Sequence, residues 1–197
     1  MRSTKTIKMA QLAILIAIVL VMAFTPLGYL KTVGLEISLI TIPVAIGAMV
    51  LGPVAGAVLG AAFGITSFYQ CFGMSQFGAV LLGINPFMTF LVCVPTRILM
   101  GYLAGVLFKL FLKLDKHNTL CYFIGGLVTA MLNTIFFMAV LVLCFWNSEF
   151  IQGLAAGNGV MLFIILFVGI NGVVEWIATC VAGGIVSKAV AKIAKNA

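Results

Sequence analysis

The chain has 197 residues, 64% of them hydrophobic and only 8% charged, with a formal net charge of +7. A soluble domain is roughly half apolar and a quarter charged, so this much apolar surface excludes a water-soluble fold. The positive charge does not point to nucleic acid either, because the basic residues lie mostly at the ends of apolar segments and form no single stripe with interleaved aromatics.

The basic start, Arg2, Lys5 and Lys8 ahead of an apolar run, imitates a signal peptide, but the run is too long for an h-region and further spans follow. Retention as a first helix over residues 9–30 is expected, followed by a polar loop at residues 31–38. A second apolar segment, 39–51, is short for a crossing and implies a tilted or locally buried helix. Gly52-Pro53 turns the chain into a third helix that continues to Tyr69. The polar and aromatic stretch 70–85 reads as an ordered loop. Pro86 suits the first turn of a fourth helix ending near Lys113, and residues 115–118 connect it to a fifth that ends at Phe145. After the polar stretch 146–158, the last apolar run starts near Val160 and fades into a basic amphipathic tail at Lys188, Lys192 and Lys195.

The expected fold is therefore an all-α membrane protein, a single domain over residues 1–197 with six transmembrane helices. Nine basic residues fall on the side of the N-terminus (Arg2, Lys5, Lys8, Lys109, Lys113, Lys116, Lys188, Lys192, Lys195) and one, Lys31, on the other. The positive-inside rule then places both termini in the cytoplasm, in an inner membrane.

Gly52, Gly56, Gly60 and Gly64 recur every fourth residue and line one side of the third helix, so a neighbouring helix can approach closely. Ala13 and Ala17 repeat the spacing on the first helix. Arg97 and Glu175 are the ionisable residues deep inside predicted spans, and each costs at least about 2.5 kcal/mol near the bilayer centre unless paired or hydrated. Arg97 shares a face with Thr89, Cys93, Gly101 and Gly105, while Asn171 and Glu175 are one turn apart. At about 1.5 Å per residue, Arg97, Asn133 and Asn171 reach a common depth of about 16 to 18 Å from the outer helix ends. Glu175 lies a turn deeper, within reach of the arginine. The network either binds a ligand or only fastens helices together. Gln70, Phe72, Gln76, Asn85, Trp146 and the loop 31–38 supply a candidate lid, where aromatics also serve as interfacial anchors.

The five cysteines are far apart in sequence and read as small buried hydrophobes. No GxxxxGK[ST] phosphate loop occurs, and His117, the one histidine, is in a predicted cytoplasmic connector without metal-spaced companions. Hydrolase, ATPase and metal chemistry are not expected, and no cofactor is implied.

The segment Thr41-Ile-Pro-Val-Ala-Ile-Gly-Ala-Met-Val-Leu-Gly-Pro-Val-Ala-Gly-Ala, continuing to Phe63-Gly-Ile-Thr-Ser-Phe68, resembles the S components of energy-coupling factor (ECF) vitamin transporters. So do Ile84-Asn85-Pro86 and Val94-Pro95-Thr96-Arg97-Ile98-Leu99-Met100-Gly101, although the family often carries Pro-Arg where Thr96 intervenes here. The resemblance covers nearly the whole chain. It implies a high-affinity vitamin-binding subunit of a bacterial importer without its own ATPase, working with a transmembrane coupling subunit and two cytoplasmic ATPases. In that family AxxxA motifs on the first helix contact the coupling subunit, which maps onto Ala13 and Ala17, with Ala10 extending the face. The Gln-Cys-Phe-Gly loop and the Ile-Asn-Pro element look most like the pantothenate type, whose substrate carboxylate suits Arg97, with Asn133 and Asn171 for amide or hydroxyl groups. Folate, cobalamin or pyridoxine types share the frame, and stacking on Phe68, Tyr69, Phe72 and Trp146 would serve flatter substrates. A self-sufficient proton-coupled transporter using Glu175 is the rival from another class.

Overall fold

The computed structural model describes residues 4–31, 36–114 and 119–196. Apart from a ribbon of two three-residue strands, the described elements are helical: α1 (Thr4–Ala23), β1 (Tyr29–Lys31), β2 (Glu36–Ser38), α2 (Thr41–Val50), α3 (Pro53–Gln70), α4 (Gln76–Ile84), α5 (Pro86–Leu114), α6 (Leu120–Phe145), α7 (Glu149–Ala155), α8 (Val160–Ala178), a π-turn (Thr179–Gly183) and α9 (Gly184–Asn196). Arg2, Lys116, His117 and residues 32–35 of the expected loop lie outside the described residues.

Four of these helical stretches are long and apolar enough to cross a bilayer: Lys5–Ala23, Pro86–Lys113, Leu120–Phe145 and Asn171–Ile193. The pair Glu149–Ala155 and Val160–Gly169, bent by 78°, would make a fifth if it crosses as one unit. The chain is thus a multi-pass helical membrane protein. Large apolar side chains such as Ile14, Val21, Leu143 and Leu166 are exposed along the outside of the bundle, which costs nothing where hydrocarbon is the solvent.

The closest pair is α3 with α5. A Cβ on Gly56 would collide with the Gly101 carbonyl, one on Gly60 with the Arg97 carbonyl, and one on Gly64 with the Val94 and Cys93 backbone. The four-residue glycine spacing therefore acts as the sequence suggests, letting two backbones touch so that dispersion holds them without a hydrophobic drive. Gly52, at φ 102°, makes the turn that starts α3, with Pro53 at its first position.

Four expectations change in detail. The first helix ends at Ala23, short of residue 30, since Pro26 withdraws an N–H and the ribbon follows. The stretch 70–85 is not all loop: the Ser75 hydroxyl accepts from the Gly78 N–H and starts α4. Ser148 does the same for α7, with its hydroxyl accepting from Ile151 N–H inside the stretch 146–158. The last run is not straight, because Gly169 breaks α8 with φ 38° and ψ −139°. The short second segment resolves as locally buried. All but two residues of α2 are inside, and its length of ten residues, about 15 Å, is half a hydrocarbon core.

Candidate functional site

A cavity of about 550 Å³ opens between α3, α4, α5, α6 and α8, with the α3–α4 turn at its rim. Its volume falls in the range that suits a small organic molecule. Arg97, Asn133, Asn171, Glu175, Gln70 and Gln76 all line it, from five different helices.

The position of Arg97 follows from its helix. Pro95 lies inside α5 and removes one rung of the backbone ladder. One residue past the affected carbonyl, the Val92 oxygen accepts from both Thr96 Oγ1 at 2.5 Å and Arg97 Nη1 at 2.8 Å. Arg97 Nη1 also reaches Thr96 Oγ1 at 3.3 Å. The guanidinium is wedged between two rings, 5.0 Å from the centre of Phe63 and 5.2 Å from that of Phe137, which favours a cation in a dry site. Arg97 is 8% exposed, and its Nε is buried without a hydrogen-bond partner. A planar cation that keeps an unused N–H on a cavity wall is equipped for a carboxylate.

Glu175 is not that carboxylate in this arrangement. Its Oε1 accepts from Asn133 Nδ2 at 3.0 Å, while the hydrogen bonds of Arg97 go to its own helix. One residue further along both helices, Trp176 Nε1 donates to Thr134 Oγ1 at 3.1 Å. These two bonds fasten α8 to α6, while Arg97 Nε stays without a partner. Gln70 is half of another fastening: its amide donates to the Ala23 carbonyl at the end of α1.

The structure brings some expected residues together and not others. Phe72 is exposed and packs edge-on against Phe68. Asn85 caps α5, its Oδ1 accepting from the Met88 N–H at 3.1 Å. Trp146 closes α6 and packs on Phe163. None of the three lines the cavity. Ala10, Ala13 and Ala17 are exposed on α1, facing away from the bundle. Sequence reasoning did not single out Ser67, Phe137 and Phe167, which line the cavity, nor Phe63, which flanks the arginine. Phe137 could have been found one turn beyond Asn133 on the same face of α6. Phe63 sits inside the glycine ridge and had no such signal. Among the described residues, no group of three or more His, Cys, Asp or Glu side chains could hold a metal ion.

Fold and cavity together describe a helical membrane protein with a cavity of a size for a small molecule. The sequence profile of the ECF transporter substrate-specific component matches residues 7–183, and the chain belongs to that family. It is therefore a transporter subunit and not an enzyme. It is also 32% identical over 143 residues, 68% of each chain, to the pantothenate transporter PanT of Leuconostoc mesenteroides.

Proposed function

We propose that this chain captures pantothenate for import across the plasma membrane of a bacterium. The single observation that carries the reading is the buried Arg97, held between two rings with an unpartnered Nε at the wall of a cavity of suitable size. Pantothenate offers a carboxylate to the guanidinium and an amide and two hydroxyls to Asn171, Gln76 and the Asn133–Glu175 pair. The similarity to PanT supports the same substrate.

Six crossings with both termini inside fit this role: α1, α2 together with the ribbon before it, α3, α5, α6 and the broken α8–α9 unit. Lys109 and Lys113 lie at the end of α5 opposite to Arg97's half, so the cavity faces outward if these lysines face the cytoplasm. The exposed small face at Ala10, Ala13 and Ala17 is then free for a transmembrane coupling subunit, and two cytoplasmic ATPases supply the energy that this chain does not harvest.

Calorimetric titration of the purified chain with pantothenate, folate, cobalamin and pyridoxine tests the reading. Saturable binding of pantothenate, weakened strongly in Arg97→Ala, is the expected result. Binding of another vitamin instead, or pantothenate affinity indifferent to Arg97→Ala, would falsify it.

A further inference from the structure

The cavity wall contains a pair of thiols that binding alone does not require. Cys71 closes α3 and Cys93 lies in α5, one turn before Arg97; both line the cavity between its rim and the guanidinium. Their Sγ atoms are 3.9 Å apart. Ser67 holds both in place: its carbonyl accepts from Cys71 Sγ at 3.3 Å, and its hydroxyl points to Cys93 Sγ at 4.0 Å. The first turn of α4 presses on the pair from the other side, since a Cβ on Gly78 would strike Cys71 Sγ. The turn between Cys71 and α4 is exposed at Gly73 and Met74, which line the same cavity, so the two buried thiols are open to a small solute only from the cavity side.

We propose that Cys71 and Cys93 are a redox modification site, closed by a hydroperoxide into a disulfide that lowers substrate affinity. One thiolate attacks a peroxide oxygen, the O–O bond breaks, and a sulfenic acid forms with release of hydroxide. The second thiolate attacks that sulfur, the S–S bond forms, and a second hydroxide leaves. The two thiol protons convert the hydroxides to water, so two thiols and one hydrogen peroxide give one disulfide and two waters. A disulfide requires the sulfurs to close from 3.9 Å to about 2.05 Å. That movement draws the α3–α4 turn onto α5 and narrows the passage directly above Arg97. The effect on affinity rests on the cavity being the substrate site; the disulfide itself does not.

The test uses the full chain in lipid nanodiscs, in a Cys121→Ser, Cys144→Ser, Cys180→Ser background that leaves only the pair. Hydrogen peroxide should remove two hydrogens from the intact mass, join the peptides containing Cys71 and Cys93, and block both thiols from maleimide until a reductant is added. A Cys71→Ser, Cys93→Ser chain should show none of this. Thiols that stay free to maleimide after peroxide in the folded protein overturn the proposal. In the pair-only chain the pantothenate affinity should fall by about tenfold or more on oxidation and return on reduction. An unchanged affinity with the disulfide formed overturns the switch. A reduced chain that binds no pantothenate at all refutes the substrate reading instead, while the mass measurement still decides the thiol chemistry.

Discussion

Arg97 keeps its Nε without a hydrogen-bond partner at the cavity wall. Its packing between Phe63 and Phe137 fixes the plane of the guanidinium, and its hydrogen bonds to Val92 and Thr96 use Nη1 alone. Because a hydrogen bond to a charged group contributes about 1.5 to 3 kcal/mol, Arg97→Ala should weaken pantothenate binding by roughly 10- to 100-fold in calorimetry. Arg97→Lys should recover little, since an ammonium cannot reproduce the planar fork. Asn133 acts differently, as a donor to Glu175 inside the bundle. Asn133→Leu leaves that carboxylate without its amide and should lower thermal stability by about 1 to 3 kcal/mol, seen as an earlier unfolding transition in detergent. If Asn133→Leu kept full stability but lost only ligand affinity, the fastening role assigned to this pair would be wrong.

At the scale of elements, two contacts set the cavity. The α3–α5 contact brings Arg97 to its place, because Gly60 lies directly against the Arg97 carbonyl. Gly60→Leu must push the two backbones apart, and an overpacked contact of this kind costs about 1 to 3 kcal/mol or more. Its expected signature is loss of pantothenate binding together with lower stability, whereas Gly83→Leu, where a side chain meets open space, should change neither. The second contact is the bend in α8. Phe167 and Val168 precede Gly169, Asn171 and Glu175 follow it, and all four line the cavity, so the bend sets the angle between the two parts of that wall. A φ of 38° with ψ −139° is reserved for glycine, so Gly169→Ala should cost about 1 to 3 kcal/mol of stability or straighten the helix. Spin labels on α7 and α9 would report straightening as a longer separation between them.

For the whole molecule, the surfaces proposed for binding and for coupling are separate. The cavity is enclosed by α3, α4, α5, α6 and α8, while α1 lies to one side against α2 and α3 and exposes Ala10, Ala13 and Ala17. A bulky side chain there cannot reach the cavity. Ala13→Trp should therefore keep pantothenate affinity and thermal stability near the parent values while abolishing ATP-driven uptake by the reconstituted complex. Equal loss of binding and uptake in that variant would place α1 in the binding unit and contradict the division of surfaces.

Composition and periodicity alone determined the membrane setting, the glycine ridge of α3, the start of α3 at Gly52-Pro53 and the prominence of Arg97, Asn133, Asn171 and Glu175. Each is a local consequence of residue type: lipid demands apolar runs, close backbones demand small residues, and a charge inside hydrocarbon demands a reason to be there. Tertiary structure decided which polar groups meet. Whether Glu175 takes its hydrogen bond from Asn133 or its partner from Arg97 depends on how α6, α8 and α5 are rotated, and helical spacing along any one of them is silent about that. The same holds for Phe63 and Phe137 around the guanidinium, and for Cys71 and Cys93, which are 22 residues apart in the chain yet in contact. Such meetings between helices arise from packing across the bundle, which no single segment encodes.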